Sequence, residues 1–176
     1  MKTAANKRQV DIGKLAFVAL GSNLGDSRQA VWNAMARLQD LSEKPILKSS
    51  LWQTGPVDCP PGSPIFVNAV AGLLPRKKET AESLLIKLQQ LETEFGRARG
   101  YVINEPRTLD LDLIAFGAKT CISAQLILPH PRASVRRFVL QPLSEIAPDL
   151  VLPQQRKSVA KLLAALPPGE VVTRLD

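Results

Sequence analysis

From Leu109 to Leu113 the chain reads Leu-Asp-Leu-Asp-Leu, and that alternation suits only one regular conformation. In a β-strand the side chains at i and i+2 share a face, so Leu109, Leu111 and Leu113 point one way and Asp110 and Asp112 the other. The leucine face demands a core. The acidic face carries two carboxylates roughly 6.5–7 Å apart along the strand, a spacing that short side chains can close around one or two hard cations. The same face is expected to continue through Ile114 and Phe116, which confines its charge to the strand's N-terminal end. Two readings stay open on this stretch alone. One is a metal site. The other is an edge strand whose charges discourage aggregation, with Arg107 as the neutralising neighbour.

The remaining periodicities arrange themselves around that strand. Lys14–Leu20 reads as a buried strand ended by Gly-Ser-Asn-Leu-Gly-Asp, and Asp26 or Ser27 is placed to cap a helix through Leu41. Ala30, Val31, Ala34, Met35, Leu38 and Leu41 recur at helical spacing and give that helix one apolar face. Ile46–Trp52 suggests a second strand. It is followed by Gln53–Pro64, where two glycines and four prolines in twelve residues exclude regular structure and predict a stiffened loop over a site. Ile65–Leu73 is a third strand, with Phe66, Asn68 and Val70 on one face.

Glu79–Phe95 is the clearest helix. Ala81, Leu84, Leu85, Leu88, Leu91 and Phe95 form its stripe, and Gly96 is its stop. Gln89 and Glu92 are adjacent on its surface and by themselves read as solvated. A polar loop, 97–106, leads into the acidic strand. Ile122–Leu128 offers one or two short strands, and Pro-His-Pro-Arg-Ala-Ser-Val-Arg-Arg-Phe places His130, Arg132, Arg136, Arg137 and Phe138 in a loop and helical turn. Glu145–Leu152 reads as irregular, and Ser158–Leu166 as a final amphipathic helix. The order β-α-β-β-α-β predicts an α/β (α+β) sandwich, ferredoxin-like, with a mostly antiparallel sheet and flanking helices. One domain is expected over 15–170, with 1–14 as a loose leader.

Charge narrows the partners. The net charge is +7, and between Arg97 and Arg137 seven Lys/Arg, six of them arginine, stand against three acids. The arginine fork matches phosphate oxygens, so a polyphosphate or a nucleic acid is the implied ligand class. The two cysteines, Cys59 and Cys121, are far apart and show no zinc or disulfide spacing. The apolar stretch Leu15–Leu20 is too short for a signal peptide, and no run approaches the ~20 residues of a membrane span. A reduced, cytoplasmic protein without membrane contact is expected.

GSNLGD, PIFVNAV, LQQLETEFGRAR, PRTLDLDLIAFG and LPHPRASVRRFVLQPLSEIAPD, in that order and spacing, resemble one family: the 6-hydroxymethyl-7,8-dihydropterin pyrophosphokinases. These are folate-biosynthesis transferases that move pyrophosphate from ATP to a pterin alcohol. The resemblance runs from Ala16 to about Leu166. It implies that Asp110 and Asp112 hold two Mg²⁺ ions on ATP, and that Arg97, Arg99 and Arg107 reach the phosphates, Arg97 and Arg107 as catalytic groups. It places Gln89, Glu92, Leu113, His130 and Arg136 on the nucleotide side. On the pterin side it puts Phe66 and Phe138 as stacking rings, Asn68 and Thr54 as hydrogen-bonding groups, and the backbone of the loop through Val57 nearby.

Two departures stand out. Asn104-Glu105-Pro106-Arg107 occupies the place where many members have Trp-Gly-Pro-Arg, and Pro131 follows the histidine where a tyrosine is common. The resemblance implies ATP and the hydroxymethyldihydropterin as partners, no nucleic acid, and a monomer. Two rivals remain at this level. A nucleotidyltransferase would carry its Gly-Ser pair close to its carboxylates, but here almost ninety residues separate them. A ferredoxin-like RNA-binding module would show sheet motifs rich in glycine and aromatic residues.

Overall fold

In a computed structural model, residues 11–57, 59, 61–96 and 106–175 are described. Strand β1, Ala16–Ser22, is buried along almost its whole length, as its unbroken apolar sequence requires of a strand covered on both faces. Helix α1, Ser27–Leu38, follows. Asp26 caps it, its side chain accepting from Gln29 N–H at 3.0 Å. Next come β2, Leu47–Lys48, β3, Leu51–Thr54, and β4, Phe66–Leu73. Helix α2, Ala81–Glu94, opens on a reciprocal Thr80–Ser83 cap and ends at Gly96, whose φ of 78° suits a residue without a Cβ. Strand β5 is Asp110–Phe116.

These strands form one antiparallel sheet in the order β5-β1-β4-β3. That is the ferredoxin-like arrangement, with β1 central and the acidic strand at one edge. One layer packs α1 and α2 on the face of Val18, Leu20, Leu111 and Leu113, where Val31, Met35, Leu38, Leu84 and Leu88 are fully enclosed. Burying each such side chain is worth about 1.5–3 kcal/mol. The other face holds Phe17, Val70 and Ile114 against α3, Arg137–Ile146, and α4, Val159–Ala164. A hairpin of β6, Cys121–Ile122, and β7, Ile127–Leu128, precedes α3.

The structure corrects several expectations. The first strand runs two residues further, to Ser22. The expected strand 46–52 is two pieces, β2 on one end of β4 and β3 on the other. Ser49 bridges the break: its N–H donates to Val70 O at 3.0 Å and its Oγ accepts from Val70 N–H at 2.9 Å. Phe116 does not share the acidic face. The register slips between Phe17 and Val18, which pair with Ala115 and Leu113, so Ile114 is an extra residue and the alternation resets. Ile114 packs in the second layer and Phe116 against the first.

Helix α3 continues through Glu145 to Ile146, where irregular chain is expected from Glu145 on. Residues 12–14 form a 3₁₀ turn with Ile12 against the second layer, so that part of the expected leader is attached to the core. Strand β8, Val172–Leu175, is an element the sequence reading missed; it pairs with β3 and extends the sheet past residue 170. Among the described residues no helix is long and apolar enough to cross a membrane.

Candidate active site

The second sheet face ends in polar residues where α3 begins. Continuing the faces of Phe17 and Val70, one meets Ala19 and Gly21 on β1, Phe66 and Asn68 on β4, and Asp110 and Asp112 on β5. All six line a cleft of about 220 Å³. Register explains why the cleft is there. Ala19 lies opposite Asp112 and Gly21 opposite Asp110 and Asn68, so the strand between the carboxylates and Asn68 carries almost no side-chain bulk. A Cβ on Gly21 would lie 3.1 Å from Asn68 Oδ1 and 3.9 Å from the Phe66 ring.

One half of the cleft is charged. Arg107 Nη1 stands 3.3 Å from Asp110 Oδ2. Arg107 Nε is buried without a hydrogen-bond partner among the described residues, a donor suited to an anionic oxygen. His130 is fixed by its N–H donating to Ile114 O at 2.9 Å, the carbonyl of the extra residue in β5, and Nδ1 accepts from Arg132 N–H at 3.3 Å. Burial pushes the Asp112 carboxyl above its usual range, and the Asp110 charge pushes further; His130, Arg136 and Arg107 pull it back only in part. Burial, with Arg136 and Arg132, pushes the His130 imidazole down, against the attraction of the two aspartates. The site therefore holds two close carboxylates with residual repulsion. Among the described residues no group of three or more His, Cys, Asp or Glu is arranged to hold a metal. A pair of carboxylates fits a hard cation that keeps waters and takes its remaining oxygens from a phosphate ligand, as Mg²⁺ does.

The other half is flat and apolar with polar edges. Phe66 and Phe138 line it, and the Arg136 guanidinium lies over the Phe138 ring at 5.3 Å, joining the two halves. Asn68 Nδ2 donates to Thr54 Oγ1 at 2.8 Å in a buried pair. That leaves the Thr54 hydroxyl hydrogen and the Asn68 carbonyl oxygen as one donor and one acceptor for a ligand edge. Gly55 and Val57 complete the rim.

Of the residues singled out from sequence, the structure brings Thr54, Val57, Phe66, Asn68, Arg107, Asp110, Asp112, His130, Arg136 and Phe138 to this cleft. Leu113 is instead 3% exposed, in the core on the opposite side of β5. Gln89 is half-buried on α2, outside the cleft lining. Glu92 is not solvated: it is 6% exposed, and its Oε1 accepts from Leu111 N–H at 2.7 Å. Because β5 is an edge strand, that N–H has no neighbouring strand to meet, and the carboxylate from α2 takes the strand's place. Arg97, Arg99, Asn104 and Glu105 lie outside the described residues. Ala19, Gly21, Cys59 and Arg132 also line the cleft. Of these, Ala19 and Gly21 had a legible signal, small residues on either side of Leu20 in β1.

A family described as 7,8-dihydro-6-hydroxymethylpterin-pyrophosphokinase (HPPK) matches residues 17–148. The chain is 40% identical over 152 residues to a 2-amino-4-hydroxy-6-hydroxymethyldihydropteridine pyrophosphokinase of Pseudomonas aeruginosa, covering 86% of this chain and 91% of that one. It is 38% identical over 148 residues to the folic acid synthesis protein fol1 of Pneumocystis carinii, 82% of this chain but 19% of that protein. A solved HPPK-DHPS in complex with substrates superposes with a TM-score of 0.66 at 11% identity, over 86% of this chain and 43% of that one, which supports the fold alone. The chain thus spans most of the bacterial relative and less than half of the longer fungal and HPPK-DHPS chains.

Proposed function

The chain belongs to the 7,8-dihydro-6-hydroxymethylpterin-pyrophosphokinase family, and on that footing we propose that it transfers pyrophosphate from ATP to 6-hydroxymethyl-7,8-dihydropterin. The products are AMP and the pterin diphosphate, a step of folate biosynthesis. One observation carries the reading at the level of residues. A carboxylate pair flanked by arginine and histidine opens into the same cleft, on the same sheet face, as two aromatic rings and an Asn–Thr pair. A polyphosphate and a flat heterocycle are thereby held side by side.

The division of labour follows from the chemistry of each group. Phe66 and Phe138 stack the pterin, while Asn68 and Thr54 read its donor and acceptor edge. Arg107, Arg136 and His130 hold phosphate oxygens, joined in our reading by Arg97 and Arg99, with Gln89 on the nucleotide side. Asp110 and Asp112 are the residues that would hold Mg²⁺, two ions by the family's pattern, whose chemistry is to screen the triphosphate charge. The pterin hydroxymethyl oxygen then bonds to the β-phosphorus, its hydroxyl proton passing to solvent, as the bond from that phosphorus to the bridging oxygen on the α-phosphate breaks; AMP leaves with that oxygen. Acceleration comes from alignment and from fixed positive charge around the transferred group.

The working unit in this proposal is the single domain of 15–170 together with β8, acting as a monomer on small molecules, without nucleic acid or membrane. Both cysteines are free thiols, in keeping with a reducing, cytoplasmic setting. The test is direct: purified chain, ATP, Mg²⁺ and the reduced hydroxymethylpterin should give AMP and pterin diphosphate in equal amounts. Release of ADP, or of pyrophosphate with an adenylylated pterin, would overturn the assignment.

A further inference from the structure

The Gly-Ser-Asn segment that closes β1 contains a residue outside the cleft lining that touches backbone leading into both halves. Asn23 is 3% exposed. Its N–H donates to Arg107 O at 3.1 Å, and its Oδ1 accepts from Arg107 N–H at 2.8 Å, a two-bond clamp on the peptide that carries Arg107. Its Nδ2 donates to Pro64 O at 3.4 Å. Arg107 in turn pairs with Asp110, and Pro64 lies two residues before the Phe66 ring. A single amide therefore uses its acceptor on the phosphate side and its donor on the heterocycle side. Its partners are 84 and 41 residues away in sequence, which separates it from a local turn-capping asparagine.

We propose that Asn23 is a positioning residue that couples the two halves of the site: it holds the approach to β4 and the peptide of Arg107 in one fixed relation. The inference rests on the function proposed above. The residue type follows from the task. Asparagine offers one donor and one acceptor on a short stem, aspartate two acceptors, alanine neither. The acceptor sets where the guanidinium of Arg107 starts from, and hence how it meets a phosphate beside Asp110. The donor sets the path by which the chain enters Phe66 and Asn68.

The two bonds are separated by comparing Asn23→Asp with Asn23→Ala in steady-state assays with Mg²⁺, ATP and the reduced hydroxymethylpterin. Assays are run at a temperature where circular dichroism shows each variant folded. Asn23→Asp keeps the acceptor for Arg107 N–H and loses donation to Pro64. Its KM for the pterin should rise about 3–10-fold with kcat within about 3-fold of wild type. Asn23→Ala loses both bonds, and its kcat should fall about 10–100-fold in addition to the same rise in KM. A residue that merely stabilised the fold would lower Tm and leave this split absent. Two variants with identical losses, or a folded Asn23→Ala with wild-type kcat and KM, overturn the proposal. If Asn23→Ala does not fold, Asn23→Asp decides alone, and an unchanged pterin KM overturns it. A wild-type chain without turnover sinks the functional reading and this one with it; an active wild type with an indifferent Asn23 sinks this one only.

Discussion

Replacing Asp112 by asparagine should make the metal-free protein more stable while weakening its response to Mg²⁺ and ATP. The two carboxylates occupy adjacent same-face positions of β5, roughly 6.5 Å apart along the strand. At an effective dielectric constant near 20 two unit charges at that distance repel by about 2.5 kcal/mol. Arg107, 3.3 Å from Asp110, and Arg136 offset part of this, and the burial cost of the Asp112 charge adds to what remains. A net gain of about 1–2 kcal/mol is expected, equivalent to a Tm rise of about 2–8 °C for a chain of this size. The sign can be checked by pH. The folded carboxyl of Asp112 is raised above its ordinary value of 3.8, so at neutral pH the native state carries the whole penalty. On acidification the native protein takes up its proton first, and the penalty disappears as pH falls through the raised folded value to the unfolded one. Calorimetry without divalent ions should show the asparagine variant ahead at pH 7–8, with a lead that shrinks towards pH 4. Wild type should gain stability from Mg²⁺ with ATP, and the variant much less. A variant that melts at or below wild type at pH 8, or that keeps the full Mg²⁺ response, would refute the picture of two carboxylates whose mutual repulsion a cation relieves.

Three other outcomes follow from the same geometry. Glu92→Ala leaves Leu111 N–H buried without its partner and should cost about 1–3 kcal/mol in urea unfolding, whereas Glu92→Gln, which keeps an acceptor, should cost less. Equal losses in the two variants would show that this bond is not what matters. Gly21→Ala sets a methyl against Asn68 Oδ1 in the cleft floor, and pterin affinity by fluorescence titration should fall about 10-fold with little change in Tm. Burial works against ionisation of Glu145, but Ser50, Trp52 and Arg174 together hold its carboxyl below the usual 4.5. The contribution of Glu145 is therefore present above pH 4.5 and lost as pH falls through the depressed folded value. Glu145→Gln should cost about 1 kcal/mol at pH 7, and the difference from wild type should shrink as pH falls below 4.5.

How much of this was legible in the sequence depended on whether local pattern or distant pairing decided the outcome. The Leu-Asp alternation showed the face of each residue up to Leu113, because a strand's pleat is local. It failed at Phe116, since the slip against Phe17 and Val18 is a property of two strands together. The stripes of α1 and α2 were readable for the same local reason. Helix α3 was legible only as a helical turn near Phe138, because its extent is set by packing on the second layer. Strand β8 is short, and half its side chains are polar and exposed; only pairing with β3 makes it a strand. In the site, the groups that point into the cleft were recognisable by type. Asn23 and Glu92 were legible only as polar residues, since their roles lie in backbone partners 84 and 19 positions away.

The slip in β5 has a consequence for how the strand tolerates changes in length. Leu113 and Ala115 already face successive β1 partners, Val18 and Phe17, so a chain shortened by Ile114 alone would close up without re-pairing a single rung. The ladder is indifferent to that residue, and the backbone of His130 is not: the carbonyl that accepts from its backbone N–H would go with it. Counting by twos preserves the sheet, and the one residue outside the count moors the histidine.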